Sequence, residues 1–119
     1  MKNLAPDIMR QRLLIEGFYT IKASRKVIED YYKTITSELG LRTYGDPIIF
    51  SPAKGVGKEV NQGYDCFVPL IDSGIPLYIW SNAKFISLII YTCKSFDERK
   101  AVQVTKDFWK IKEIESMGF

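Results

Sequence analysis

Apolar positions alternate from Arg12 to Ile21. Leu13, Ile15, Gly17, Tyr19 and Ile21 share one face and Leu14, Glu16, Phe18 and Thr20 the other, which predicts a strand. The stretch before it, Met1 to Gln11, reads as a loose end or a short helical turn. After Ser24 the spacing changes to one, three and four residues. Val27, Ile28, Tyr31, Tyr32, Ile35 and Leu39 then form one stripe of a helix, with Ser24 as its N-cap and Gly40 at C′. The two tyrosines read as the edge of that stripe. Arg42 to Phe50 predicts a second strand broken at Gly45-Asp46-Pro47, and Pro47 places it at a sheet edge or a bulge. Ser51 to Gln62 reads as a surface loop. Three further strands follow, Tyr64–Ile71, Ile75–Trp80 and Phe85–Cys93, with turns at Asp72-Ser73-Gly74 and Ser81–Lys84. Ser95-Phe96-Asp97-Glu98 offers a capping box for a second helix, Asp97 to Lys112, whose inner stripe is Ala101, Val102, Thr105, Phe108 and Trp109. Residues from Ile111 to Phe119 prolong that helix or make a short final strand.

This order predicts an α+β fold. It is a two-layer sandwich, a mostly antiparallel sheet with two helices on one face. Phe85–Cys93 is apolar on both of its faces, so the sheet face away from the helices is expected to be apolar as well. Such a surface associates, and a homodimer with stacked sheets is the simplest cover.

A chain of 119 residues reads as one domain. Its net charge of +3 is mild, and basic residues are interleaved with acidic ones, so no nucleic-acid partner is expected. No apolar run has the length of a membrane span and no leader segment is visible, which predicts a cytoplasmic protein without a membrane partner. Histidine is absent, and the two cysteines, Cys66 and Cys93, make neither a disulfide framework nor a zinc set. Metal chemistry and histidine-based nucleophilic catalysis are thereby excluded as expectations. Lys54-Gly55-Val56-Gly57-Lys58 looks like part of a phosphate loop. Pro52 and Glu59 break the pattern, however, and no helix is predicted after it.

Asp72-Ser73, Trp80 and Thr92-Cys93 each end or begin a predicted strand. With these residues the chain resembles the small bacterial and archaeal S-adenosylmethionine decarboxylases, the pyruvoyl-dependent enzymes of spermidine synthesis. In that family a Glu-Ser pair, a Trp and a Thr-Cys pair stand at this spacing, and Leu13–Tyr19 is similar to its first strand. The resemblance implies that the chain cuts itself before Ser73. Ser73 attacks the carbonyl of Asp72, and elimination leaves a pyruvoyl group as the covalent cofactor. That group forms a Schiff base with the substrate amine and draws electrons as carboxylate is lost. The resemblance also implies that Cys93 donates a proton to the product, that Trp80 and Glu16 face the substrate, and that two copies pair. Read from their neighbours alone, Glu16 is an edge or solvent-facing carboxylate, Asp72-Ser73-Gly74 a plain turn and Cys93 a small buried hydrophobe.

The chain departs from the family pattern in several places. Tyr78 stands where the family has the His of the elimination step, and Asp65 where it has a Ser that assists processing. Ser81-Asn82 replaces Pro-Glu, and Glu59 falls near the position of the adenine-stacking aromatic. Tyr78, with Asp65, is the candidate replacement base. Processing is expected to be slow or incomplete. Added carboxylates favour a cationic small-molecule substrate, with S-adenosylmethionine first and arginine or ornithine after it. The alternatives are a non-catalytic homologue that pairs with a catalytic paralogue or binds a small molecule, and an unrelated interaction module.

Overall fold

A computed structural model describes residues 1–51 and 63–119. The elements are β1 (Gln11–Phe18), α1 (Arg25–Leu39), β2 (Ile48–Phe50), β3 (Gly63–Leu70), β4 (Ser73–Trp80), β5 (Phe85–Thr92), α2 (Glu98–Trp109) and β6 (Glu113–Gly118). The six strands form one antiparallel sheet in the order β2-β3-β4-β5-β1-β6, and the two helices pack beside each other on one face. The α+β two-layer sandwich expected from the pattern is the fold observed. The segment Lys54–Lys58, with its partial phosphate-loop pattern, lies outside the described residues.

Alternation decides which face each strand buries. Leu13 and Ile15 of β1, Val68 and Leu70 of β3, Ile75, Leu77 and Ile79 of β4, and Ile86, Leu88 and Ile90 of β5 are buried beneath the helices. Opposite them, Ile28, Tyr31, Tyr32 and Ile35 of α1 and Ala101, Thr105 and Trp109 of α2 complete the core. Tyr31 and Tyr32 are not at its edge, as the stripe implied, but inside it. Each phenol has a hydrogen bond there: Tyr31 Oη with Thr105 Oγ1 at 2.7 Å, and Tyr32 Oη donating to the Ile75 carbonyl at 2.9 Å. Burial raises both phenol pKa values well above the ordinary tyrosine range.

The caps explain where the helices stop and start. Ser24 Oγ accepts from Val27 N, and Gly40 adopts a left-handed φ of 67° that lets its own N–H and that of Leu41 close on Ser37 O and Thr36 O. At α2 the N-cap is Asp97, whose side chain accepts from Lys100 N. This differs from the capping box read at Ser95. The third residue of that box, Asp97, takes the cap, and Glu98 instead accepts from Gln11 Nε2 of β1. The second strand is shorter than expected. Only Ile48–Phe50 pairs regularly, at the edge that Pro47 predicted, and Thr43 makes a single bridge to Leu70. The chain after α2 forms a strand, β6, and does not prolong the helix.

The other sheet face has no covering layer among the described residues. Phe18, Ile48, Phe50, Phe67, Tyr78, Tyr91 and Met117 all alternate onto it and are each more than a third exposed. The strand Phe85–Thr92 is therefore buried on its helix side only.

Candidate functional site

The β3–β4 connection is a tight turn through Ile71 and Asp72, with Leu70 opposite Ser73. Ser73 is the first residue of β4, and not the middle of a turn as the sequence implied. The left-handed residue of this turn is Asp72, with a φ of 58°, and not Gly74. A non-glycine residue there carries a backbone cost of about 1–2 kcal/mol, at the low end for an aspartate. Gly74 is small for a different reason. A Cβ on it would stand 2.5 Å from two ring carbons of Phe67.

The β5 strand ends beside this turn, and one residue there contacts both the Ser73 hydroxyl and the Asp72 carbonyl. Cys93 N donates to Ser73 Oγ at 2.9 Å, and Cys93 Sγ donates to the carbonyl of Asp72 at 3.1 Å. Cys93 is exposed and not buried as expected from its strand-end position. The reason is that β5 finishes at Thr92, leaving Cys93 past the last turn of core packing. Cys66 is the buried thiol, and burial, with the Asp65 carboxylate adding, pushes it up to about 12. The contrast separates an exposed thiol from a core one.

These three residues open into a cavity of about 520 Å³ at one end of the sheet. Its other walls are the segment that follows α1, including Arg42, and Lys94 after β5. Lys94 Nζ crosses the rim to donate to the Gly40 carbonyl at 3.0 Å. Arg42 and Lys94 had not been picked out from the sequence. The available signal was register: a turn at 71–72 places residues 93–94 beside it, and Gly40 ends α1 two residues before Arg42.

The remaining candidates form a second group elsewhere. Along β4, Tyr78 is five residues from Ser73, about 16 Å, and Trp80 is seven, about 23 Å. Strand register puts Phe50, Asp65, Tyr78, Ser87, Glu16 and Glu115 in one row across the open face, each opposite the next. Ser87 Oγ donates to Glu16 Oε2 at 2.7 Å within it. Glu16 is thus on an internal strand and hydrogen-bonded, not at a sheet edge. Trp80 is in the next row, its ring 5.5 Å from that of Phe85, which is 5.3 Å from Phe18. Within one chain neither Tyr78 nor Asp65 reaches the Asp72–Ser73 bond. Glu59 lies outside the described residues. No metal-binding cluster of side chains occurs among the described residues, and no helix among them is long and apolar enough to cross a membrane.

No protein-family model matches the chain, and no curated protein matches it. Its fold does match a solved structure. The crystal structure of the adenosylmethionine decarboxylase from Aquifex aeolicus VF5 superposes with a TM-score of 0.75 at 12% sequence identity, over 94% of this chain and 89% of that one. At this identity the likeness is one of fold. The chain has the fold of an adenosylmethionine decarboxylase, and its candidate site is the Asp72–Ser73–Cys93 corner of that fold.

Proposed function

We propose that the protein is a pyruvoyl-dependent decarboxylase that generates its cofactor from Ser73 and acts on a small α-amino acid. The observation that carries this reading is the double grip of Cys93 on the Ser73 hydroxyl and the Asp72 carbonyl, at a residue held left-handed. A plain hairpin needs neither contact. The fold of the Aquifex decarboxylase supports the same reading.

Self-cleavage would proceed as an acyl shift. Ser73 Oγ bonds to the Asp72 carbonyl carbon while the Asp72–Ser73 C–N bond breaks, giving an ester and a free amine on Ser73. Negative charge gathers on the Asp72 oxygen in that step, and the Cys93 thiol is already aimed at it. Release of strain at Asp72 assists. Loss of the Ser73 α-proton to a base then breaks the Cβ–Oγ bond and frees the Asp72 carboxylate. Water finally displaces the amino nitrogen as ammonia, leaving a ketone. A pyruvoyl group so formed supplies a carbonyl that takes the substrate amine and accepts electrons as carbon dioxide departs. Cys93, beside that carbonyl, is positioned to return a proton to the substrate carbon.

The candidate base Tyr78 would reach Ser73 only from a second copy of the chain. The exposed aromatic and aliphatic side chains of the open face favour a second copy stacked sheet on sheet, about 10 Å away. A two-fold axis in the plane between the sheets, crossing β4 midway between Ser73 and Tyr78, sets Tyr78 of each copy over the Ser73 end of the other. A phenol with an ordinary pKa near 10 is a slow base at neutral pH. Processing should therefore be slow or incomplete.

S-adenosylmethionine, the substrate named for the Aquifex protein, is the first compound to assay, followed by arginine and ornithine. Intact-mass analysis of the purified protein, with carbon dioxide release, tests the reading. The expected pattern is the 13.7 kDa chain with a minor pair split at Asp72–Ser73, and turnover proportional to the split fraction. A chain that never splits and releases no carbon dioxide supports a second reading, a non-catalytic homologue. The separation of Tyr78 from Ser73 within one chain, about 16 Å along β4, is the observation that favours it.

A further inference from the structure

The cavity at Ser73 has a charge that the decarboxylase reading does not use. Arg42 and Lys94 line it, and in the uncut chain the Asp72 side chain is the one carboxylate among its described lining residues. Among the described residues neither cation is in an ion pair; the pairs present are Lys26–Asp30 and Lys100–Glu38. Lys94 Nζ gives one hydrogen bond to the Gly40 carbonyl, which fixes the ammonium at the rim without neutralising it and leaves two N–H directions. The Arg42 guanidinium brings a planar fork suited to a carboxylate. Two cations thus stand on the wall of a cavity that also holds Ser73 and Cys93, while Glu16 and Asp65, which would attract a cationic ligand, belong to the row about five residues away along the strands.

We propose that Arg42 and Lys94 form an anion subsite that receives a second acidic group of the ligand, so that the substrate is an α-amino acid carrying a carboxylate on its side chain. The amine and the leaving α-carboxylate come from the decarboxylase reading, on which this assignment rests; the anion subsite itself does not. The two cations suit a retained carboxylate better than a departing one. Ion pairing the group to be lost would stabilise the ground state more than a transition state in which that charge is moving into the electron sink. A retained acidic group keeps its charge throughout and anchors the ligand with its reacting end toward Ser73 and Cys93. S-adenosylmethionine, with a sulfonium and a single carboxylate, makes poor use of this wall.

Binding of succinate, followed by the amide resonances of Ser73, Cys93 and Lys94 at constant ionic strength, tests the subsite without any turnover. Succinate should shift these amides in a saturable way. Arg42→Gln and Lys94→Gln should each weaken it about tenfold or more, and agmatine, a cation of similar length, should leave them unmoved. Both positions are exposed, so the variants keep the core. Agmatine shifting these amides while succinate does not, or succinate binding unchanged in Arg42→Gln, overturns the proposal. Carbon dioxide release separates it from the reading beneath. Arg42-dependent succinate binding in a protein that decarboxylates nothing keeps the anion subsite and removes the decarboxylase. Turnover of S-adenosylmethionine with no succinate binding does the reverse.

Discussion

Replacing Cys93 by alanine separates the two contacts this residue makes. The backbone N–H to Ser73 Oγ survives the substitution, and only the thiol bond to the Asp72 carbonyl is lost. In the resting chain that bond is weak, because S–H is a poor donor. In the acyl shift the acceptor becomes an oxyanion, and a hydrogen bond to a charged group contributes about 1.5–3 kcal/mol. Its loss should slow ester formation by about ten- to a hundredfold. Hydroxylamine traps the ester before elimination, so the rate of chain scission in its presence reports the acyl shift and is independent of the missing base. Scission should give residues 1–72 and 73–119. Cys93→Ser, which keeps a donor on a shorter arm, should fall between wild type and alanine, and Ser73→Ala should give no scission. Cys66→Ala should leave the rate unchanged at equal folded fraction, since that thiol is buried on the helix side. A Cys93→Ala rate within twofold of wild type would refute the role drawn from the 3.1 Å contact.

Three further outcomes follow from other parts of the molecule. Glu115→Gln should stabilise the fold by about 0.2–0.5 kcal/mol, because Glu115 stands directly opposite Glu16 on adjacent strands, and the gain should shrink with added salt; urea midpoints at low and high ionic strength decide it. Tyr31→Phe or Thr105→Val should each cost about 1–3 kcal/mol by stranding a buried hydroxyl, whereas the double variant should recover most of the loss; additive losses in the cycle would contradict the 2.7 Å bond. Cys66 should resist thiol reagents at pH 8 while Cys93 reacts, and stability should fall between about pH 9 and 12. In that window the unfolded chain releases the Cys66 proton and the folded chain retains it, so alkali favours unfolding.

Much of the fold could be read from periodicity. The alternation in Arg12–Ile21 and the three-and-four spacing from Val27 to Leu39 located β1 and α1 within a few residues, because each element buries one face and the pattern records it. Pro47 correctly put its strand at an edge. The end of the chain was harder to read. Glu113–Gly118 has one apolar residue on its helix side, Ile114, and is a strand only because β1 offers it a pairing edge. Site residues divide along the same line. Ser73 and Cys93 come together through a hairpin and its neighbour, contacts set by local turns. Tyr78, Trp80 and Asp65 were grouped with Ser73 by their place in a motif, whereas a strand advances about 3.3 Å per residue and carried them to other rows. Arg42 went unnoticed because its contribution depends on where α1 stops.

Strand order has a consequence for a chain that does cut itself. Residues 1–72 contain β1, β2, β3 and α1, and residues 73–119 contain β4, β5, β6 and α2. In the sheet these do not form two blocks. Reading across, two strands of the first piece meet two of the second, then comes one of the first and one of the second. The pieces therefore share three strand–strand seams, β3–β4, β5–β1 and β1–β6, and one helix–helix contact. They are woven together, and neither can leave without tearing the sheet in three places. Scission at residue 72 would remove a covalent link where the fold has no use for one, and would leave the new terminus at Ser73 tethered by its neighbours on both sides. A cofactor made at that terminus would be carried on a strand as firmly seated as any in the uncut protein.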